Sequence, residues 1–429
     1  MLGGFRRDRL PVAAFAGLLA MLTVSSGLGL GLGLGLGLGL GRGLGAVRAD
    51  EPRTARAEGP EERLNAGRRR AIERGCRWIV TENRNAGGSF GPDKALVATT
   101  ALSTLALLAQ GSGIGRGPYG KQVAEAVEWL LKLVEEAPAD SGFPVGYFHS
   151  SRDFNSKMHG QGYATLALAS ALGTADKYVI APDRIRRVLR KAVACCEDGQ
   201  TVTGGWGYDP SYSVDHEGSV TVTIAHALRA ARDAGILVGE EHIKQGLRYL
   251  RNSQKLVGRG AAPTSEEDDG SFKYSLNTEN SSYALTAAAI SSLYLFGEYR
   301  NNPDSIERID RGVAYIKRRL ASTLRDDGRF YHYGHFYAAW SAWQFDGQLP
   351  GRGPGETWGN DPSSSDIGRT KQFWGPWHSK IYPVLIDAQS ADGRWTPRSD
   401  VYAFGDLVPT AFAILTLAIP DELIPIFQR

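Results

Sequence analysis

Six times between residues 88 and 395 a glycine-aromatic turn joins a helix of mixed polarity to a second helix almost free of charge. A chain that repeats such a unit has to stack it, because one helical hairpin cannot bury its own apolar face. The turns are Gly88-Ser89-Phe90, Gly142-Phe143, Gly205-Trp206, Gly270-Ser271-Phe272, Gly328-Arg329-Phe330 and Gly393-Arg394-Trp395, spaced 54, 63, 65, 58 and 65 residues from Gly to Gly. Common helical repeats run to roughly 34–47 residues, so each unit here is a helix pair with extended connections.

The two helix types sort into layers. Between Arg184 and Cys195, the residues Ile185, Val188, Leu189 and Val193 share one face while Arg186, Arg187, Arg190 and Lys191 take the other, the pattern of a helix with one side in water. Ala95 to Ala109 and Tyr283 to Leu295 carry no charge on any face, which predicts helices enclosed all round. Alternating half-exposed and enclosed helices build two concentric layers, and six pairs close a ring without an open edge. The expected fold is all-α, an α/α toroid of six hairpins. An open superhelix would need more polar inner helices and terminal caps.

The N-terminal 49 residues stand apart. Arg6, Arg7 and Arg9 precede an uncharged stretch from Leu10 to Gly41 that includes seven Gly-Leu pairs, and Val47-Arg48-Ala49 is a small-residue cleavage site, so 1–49 reads as an export signal, or as an anchor if it stays uncleaved. Arg6-Arg7 leaves a twin-arginine route open. Residues 50–68 read as a flexible linker and 69–429 as the toroid, with a long Gly/Pro/Ser-rich connection over 349–376. The chain's 49 Lys+Arg against 46 Asp+Glu become 44 against 45 without the leader, a balance that gives no reason to expect nucleic acid as a partner. An exported protein with Cys76, Cys195 and Cys196, two of them adjacent, has no disulfide framework, and all three read as small buried hydrophobes.

Gln200-x3-Gly204-x-Trp206 and Gln389-x3-Gly393-x-Trp395 match the Q-x3-G-x-W core of the repeat found in squalene and hopene cyclases and, more weakly, in protein prenyltransferase β-subunits. With His159 to Ala169, Gly218 to Ile236, Tyr331 to Trp343 and the terminal Ile-Pro-Ile-Phe-Gln-Arg, the mature chain resembles secreted bacterial prenyltransferase and squalene-oxidase repeat proteins, a group named for its repeats and not for a reaction. The resemblance implies a terpenoid cyclase-like toroid whose Gln-Gly-aromatic turns act as structural clamps. It also implies an aromatic central pocket for an isoprenoid or other hydrophobic ligand. Neither signature chemistry of the named enzymes is present. There is no D-x-D-D acid, and no Cys, His and Asp set placed to hold zinc, so no cofactor or metal is expected.

Polar residues nevertheless recur where each turn enters an inner helix, at the mouth of a toroid and in reach of the helix N-termini. The candidate catalytic residues are His159, Asp215, Glu217 and His335; Gln161, Tyr163, Trp206, Tyr208, His216, Tyr331, Tyr337 and Asp406 are candidate ligand contacts. Glu279, Asn280 and His332 stand at comparable places. Each has a structural alternative: Asp215 or Glu217 as a helix cap, His335 as a core residue, the aromatics as clamp or core. Three readings fit: an enzyme on isoprenoids, a polysaccharide-processing toroid using carboxylates or Tyr/His as acid and base, and a non-catalytic scaffold.

Overall fold

The computed structural model describes residues 59–211, 214–256, 269–297, 303–324, 330–347, 373–397 and 405–428. Residues 1–49, read above as an export signal, and most of the 349–376 connection, Trp358 included, lie outside the described residues. Among the described residues twelve α-helices alternate between two layers: α1 (Pro60–Glu82), α2 (Leu96–Ala109), α3 (Gly120–Glu135), α4 (Lys157–Leu172), α5 (Pro182–Asp198), α6 (Gly218–Asp233), α7 (Glu240–Ser253), α8 (Tyr283–Leu295), α9 (Pro303–Thr323), α10 (Tyr331–Gly347), α11 (Trp374–Asp387) and α12 (Leu407–Ala418). The even-numbered helices pack on one another in sequence order, and α12 packs back on α2, so the inner layer is a closed ring. This is the α/α toroid that the helix polarity predicts. Along α2 every residue but Ala98 is buried, whereas α5 buries Ile185, Val188, Leu189 and Val193 and turns Arg187, Arg190 and Lys191 to solvent.

Each outer helix packs mainly against the inner helix before it, and α1, which has none before it, packs against α12. The two ends of the domain therefore form one hairpin in space. Helix α1 begins earlier than the sequence suggests: Pro60 occupies its first turn, and the Gly59 backbone N–H donates to Glu62 Oε2 at 2.8 Å. Residues 60–68 are thus helix and not linker, because these start signals outweigh the weak apolar periodicity there. Likewise α11 begins at Trp374, inside the stretch assigned to the long connection.

The clamps are visible atom by atom. Gln200 Nε2 donates to Gly204 O at 2.8 Å and to His242 O of α7 at 2.9 Å; Gln389 Nε2 donates to Gly393 O at 2.7 Å and to Ala71 O of α1 at 2.9 Å. A third copy was hidden by an insertion: Gln254 Nε2 donates to Gly270 O at 3.1 Å and to Arg308 O of α9 at 2.8 Å. Each glutamine ties its own turn to the next outer helix. The indoles of Trp206 and Trp395 complete the clamp by donating to Cys196 O and Leu385 O, at 2.6 and 2.7 Å. Gln389→Leu keeps the bulk but strands two carbonyls, so a loss of about 1–3 kcal/mol is expected in chemical denaturation, with the helical circular dichroism of the native state unchanged.

The second turn is not Gly142-Phe143. Gly146 takes the left-handed φ of +93° and presses on the backbone of α5, and Phe148 is its buried ring, whereas Phe143 is 42% exposed. The repeat is thus Gly-x-aromatic: Gly88, Gly146, Gly204, Gly270 and Gly393 each lie two residues before Phe90, Phe148, Trp206, Phe272 and Trp395. The fifth copy, Gly328-Arg329-Phe330, keeps the spacing, but Gly328 and Arg329 lie outside the described residues. Phe330 is 41% exposed, at a φ of +69°, and joins the mouth of the ring instead of the clamp.

Candidate functional site

The axis of the ring is closed by aromatic side chains. Tyr163 of α4 and Tyr333 of α10 both meet Phe412 of α12, with ring centroids 6.1 and 5.7 Å apart, and Tyr333 contacts Tyr337 at 4.7 Å. Helices α4 and α10 stand on opposite sides of the ring, so these contacts cross its centre. Below them Phe427, in the C-terminal segment, packs on Phe336 and Trp340. One open space among the described residues lies at the N-terminal ends of the inner helices α8 and α10. There a cavity of about 610 Å³ is lined by Tyr274, Asn280, Ser282, Tyr283, Thr323, Tyr331 and His335, among others. That size falls within the roughly 300–1,000 Å³ typical of ligand pockets.

Two groups of side chains stand at this end of the ring; residues of the second line the cavity, and the first reaches it through the Tyr208–Tyr274 hydroxyl contact. The first is built where α4 and α6 begin. Lys157 has a left-handed φ of +41°, unusual for a residue with a side chain. Its ammonium lies 3.0 Å from Asp209, and the next residue, Met158, donates its N–H to Tyr208 O at 3.0 Å. The bend brings the His159 ring to 5.7 Å from that of Tyr208. Across the gap, Glu217 is the N-cap of α6: its Oε2 accepts from Ser219 N at 2.7 Å, and its Oε1 accepts from Val220 N at 2.8 Å and from Ser219 Oγ at 2.6 Å. His159 Nε2 lies 3.0 Å from Ser219 Oγ and 3.8 Å from Glu217 Oε1. Burial moves the His159 pKa below the ordinary imidazole value, and the Glu217 charge opposes the shift without cancelling it. The Tyr208 phenol is pushed up, chiefly by burial and then by Glu217, so it keeps its proton at neutral pH.

The second group surrounds His335, whose ring stands 4.5 Å from Tyr331, 5.4 Å from Tyr283 and 6.0 Å from Trp377. Tyr274 links the two groups. It lines the cavity, and its hydroxyl is 2.9 Å from that of Tyr208. Neither Tyr274 nor Ser219 stands out in the sequence by residue type. Tyr274 was nonetheless legible by register, since it follows Phe272 by two residues as Tyr208 follows Trp206.

Of the sequence-nominated residues, His159, Glu217 and Tyr208 converge in one group and Tyr331 and His335 in the other; the remainder are placed elsewhere. Gln161 is fully buried and occupied by backbone, donating to Gly146 O and Ala192 O and accepting from Phe148 N. It fills the place that threonines take in other repeats, where Thr221, Thr286 and Thr410 accept from Trp206 N, Phe272 N and Trp395 N. Its glycine neighbours pack against other helices instead of exposing it. Trp206 is clamp. His216 turns outward to Tyr249 of α7, at 3.2 Å from its hydroxyl. Tyr163 and Tyr337 belong to the packed axis, and burial pushes the Tyr163 phenol up to about 12. Asp215 is on the surface, and Asp406 lies 3.3 Å from Arg394 in the sixth repeat.

No family model matches the chain, and none of the curated proteins is significantly similar to it. Among solved structures it is similar to the GH76A α-1,6-mannanase of Salegentibacter sp. HEL1_6, both the enzyme itself and an inactive variant in complex with α-1,6-mannotriose. In each case the TM-score is 0.53 at 8% identity, over 82% of this chain and 98% of the other. A type II terpene cyclase from Scytonema matches with a TM-score of 0.33 at 13% identity, over 84% of this chain and 99% of that one. The mannanase likeness shows a shared α/α toroid.

Proposed function

We propose that this toroid binds a glycan at the N-terminal mouth of its inner helices, where imidazole and phenol groups are the ones placed to act on it. The observation that carries this reading is the cavity itself: at the N-terminal ends of α8 and α10 it combines aromatic faces with phenol, hydroxyl, amide and imidazole groups. Sugars present alternating C–H faces and hydroxyl edges, which such a wall matches, whereas a terpenoid cation calls for a dry aromatic chamber. Among the described mouth residues Glu217 is committed to capping α6, so a pair of free carboxylates, the usual equipment of a glycosidase, is not assembled there. The mannanase of the same fold holds its mannotriose at 8% identity to this chain, too distant to transfer a substrate but enough to supply a first probe. The leader with Arg6 and Arg7 supports a site of action outside the cytoplasm, where glycans are accessible.

An isoprenoid ligand is the second reading, favoured by the cluster of Tyr283, Tyr331, His335 and Trp377. Titration of the mature chain with a panel of neutral and acidic oligosaccharides, α-1,6-mannotriose among them, and with farnesol separates the two. Tyr274 is 39% exposed, so Tyr274→Ala should leave thermal stability intact and weaken oligosaccharide binding about tenfold, a loss of roughly 1.4 kcal/mol. Saturable farnesol binding with no response to any oligosaccharide would replace the glycan reading by the isoprenoid one.

A further inference from the structure

We propose that Ser219 and Glu217 lock His159 in its Nε2–H tautomer and so leave Nδ1 open as the proton acceptor of the glycan site. Glu217 caps α6 by receiving two backbone N–H groups, and a carboxylate so engaged has only lone pairs to offer Ser219. The single Ser219 hydroxyl proton therefore points to Glu217 Oε1, at 2.6 Å. Its oxygen then presents lone pairs to His159 Nε2, at 3.0 Å, and that contact is a hydrogen bond only if Nε2 carries the proton.

An uncharged ring protonated on Nε2 has its free lone pair on Nδ1. That atom makes no hydrogen bond, and the His159 side chain keeps 24% of its surface accessible; by contrast Nδ1 of His226 is sealed in the core without a partner. The groups facing the ring are Tyr163 on its own helix, Tyr208 on the turn between α5 and α6, and Glu217 with Ser219 at the start of α6. Burial keeps the ring uncharged at neutral pH. When Nδ1 takes the proton of a ligand hydroxyl, the O–H electron pair stays on the ligand oxygen as an alkoxide, Nε2–H stays on Ser219, and Glu217 at 3.8 Å offsets the charge of the imidazolium formed. Ser219 and Glu217 are positioning residues in this arrangement. It rests on the glycan reading for its ligand but not for its tautomer.

Long-range proton–nitrogen correlation spectra of the ligand-free mature chain at pH 7 test the tautomer directly. The expected result is a pyrrole-type Nε2 and a pyridine-type Nδ1 for His159, with Ser219→Ala admitting the Nδ1–H form while the Glu217 cap keeps the fold. A protonated Nδ1 in the wild type, alone or as imidazolium, overturns the proposal. Diethylpyrocarbonate labelling read by mass spectrometry then tests the ligand. His159 should be labelled at Nδ1, and an oligosaccharide that binds, present at ten times its Kd, should slow that labelling about tenfold. If oligosaccharides bind without slowing it, His159 is not at their site and the proposal fails while the glycan reading stands. If none binds, the glycan reading fails and the nitrogen spectra still decide the tautomer.

Discussion

Asp421→Ala is expected to destabilise the toroid by about 3–5 kcal/mol, the usual cost of leaving a buried charge without its partner. Arg68 of α1 is 3% exposed, and its guanidinium reaches across to the last helix of the ring and the turn that follows it. Nη1 and Nη2 grip both oxygens of Asp421 at 2.7 Å, and Nη1 also donates to Leu417 O at 2.7 Å. This latch joins residues 353 positions apart and holds the one hairpin made from both ends of the domain.

The two partners are not equivalent. Asp421 is 31% exposed, so Arg68→Met leaves a carboxylate that water can reach and should cost less, about 1–3 kcal/mol. Arg77→Ala is the control, since its i,i+4 pair with Glu73 is exposed on both sides and contributes little. Urea unfolding of the three variants, followed by tryptophan fluorescence, should rank them in that order. Equal, small effects would mean that the ring is closed by the α12–α2 and α12–α1 packing alone.

What the sequence makes legible is what repeats. Enclosed helices such as α2 announce themselves by having no charged face, and the clamp glutamines Gln200 and Gln389 keep the spacing of the motif. What stays hidden depends on three-dimensional register. Gln254 does the same work as Gln200, but an insertion separates it from Gly270. Gln161 lies close to His159 in sequence, yet one turns into a clamp and the other toward the mouth, because a residue's facing depends on where its helix begins. Lys157 decides that start with a left-handed backbone that no residue preference foretells. Arg68 looks like any other member of a basic run until the ring closes on it.

The register of the second repeat gives the sharpest test of that distinction, through two glycines four residues apart. Gly142 and Gly146 both have positive φ, +74° and +93°, so alanine at either one meets the same backbone penalty, about 1–2 kcal/mol. Their surroundings differ. A Cβ on Gly142 meets nothing within 4 Å, whereas on Gly146 it would stand 2.0 Å from Lys191 O and 2.3 Å from the carbonyl carbon, both main-chain atoms of α5 that no rotamer change can clear. The same collision recurs at Gly204 with Gln245 O, at 2.2 Å, and at Gly393 with Arg74 O, at 2.5 Å, each time at the carbonyl just before a small residue of the next outer helix, Ala192, Gly246 or Gly75. Gly146→Ala must therefore push α5 away from the turn, adding about 1–3 kcal/mol of overpacking to the backbone term, for a total of about 2–5 kcal/mol. Gly142→Ala should lose only the backbone term. Thermal and urea unfolding of the pair measures the difference, and equal losses would return the second turn to Gly142-Phe143 and remove the Gly-x-aromatic rule from that repeat.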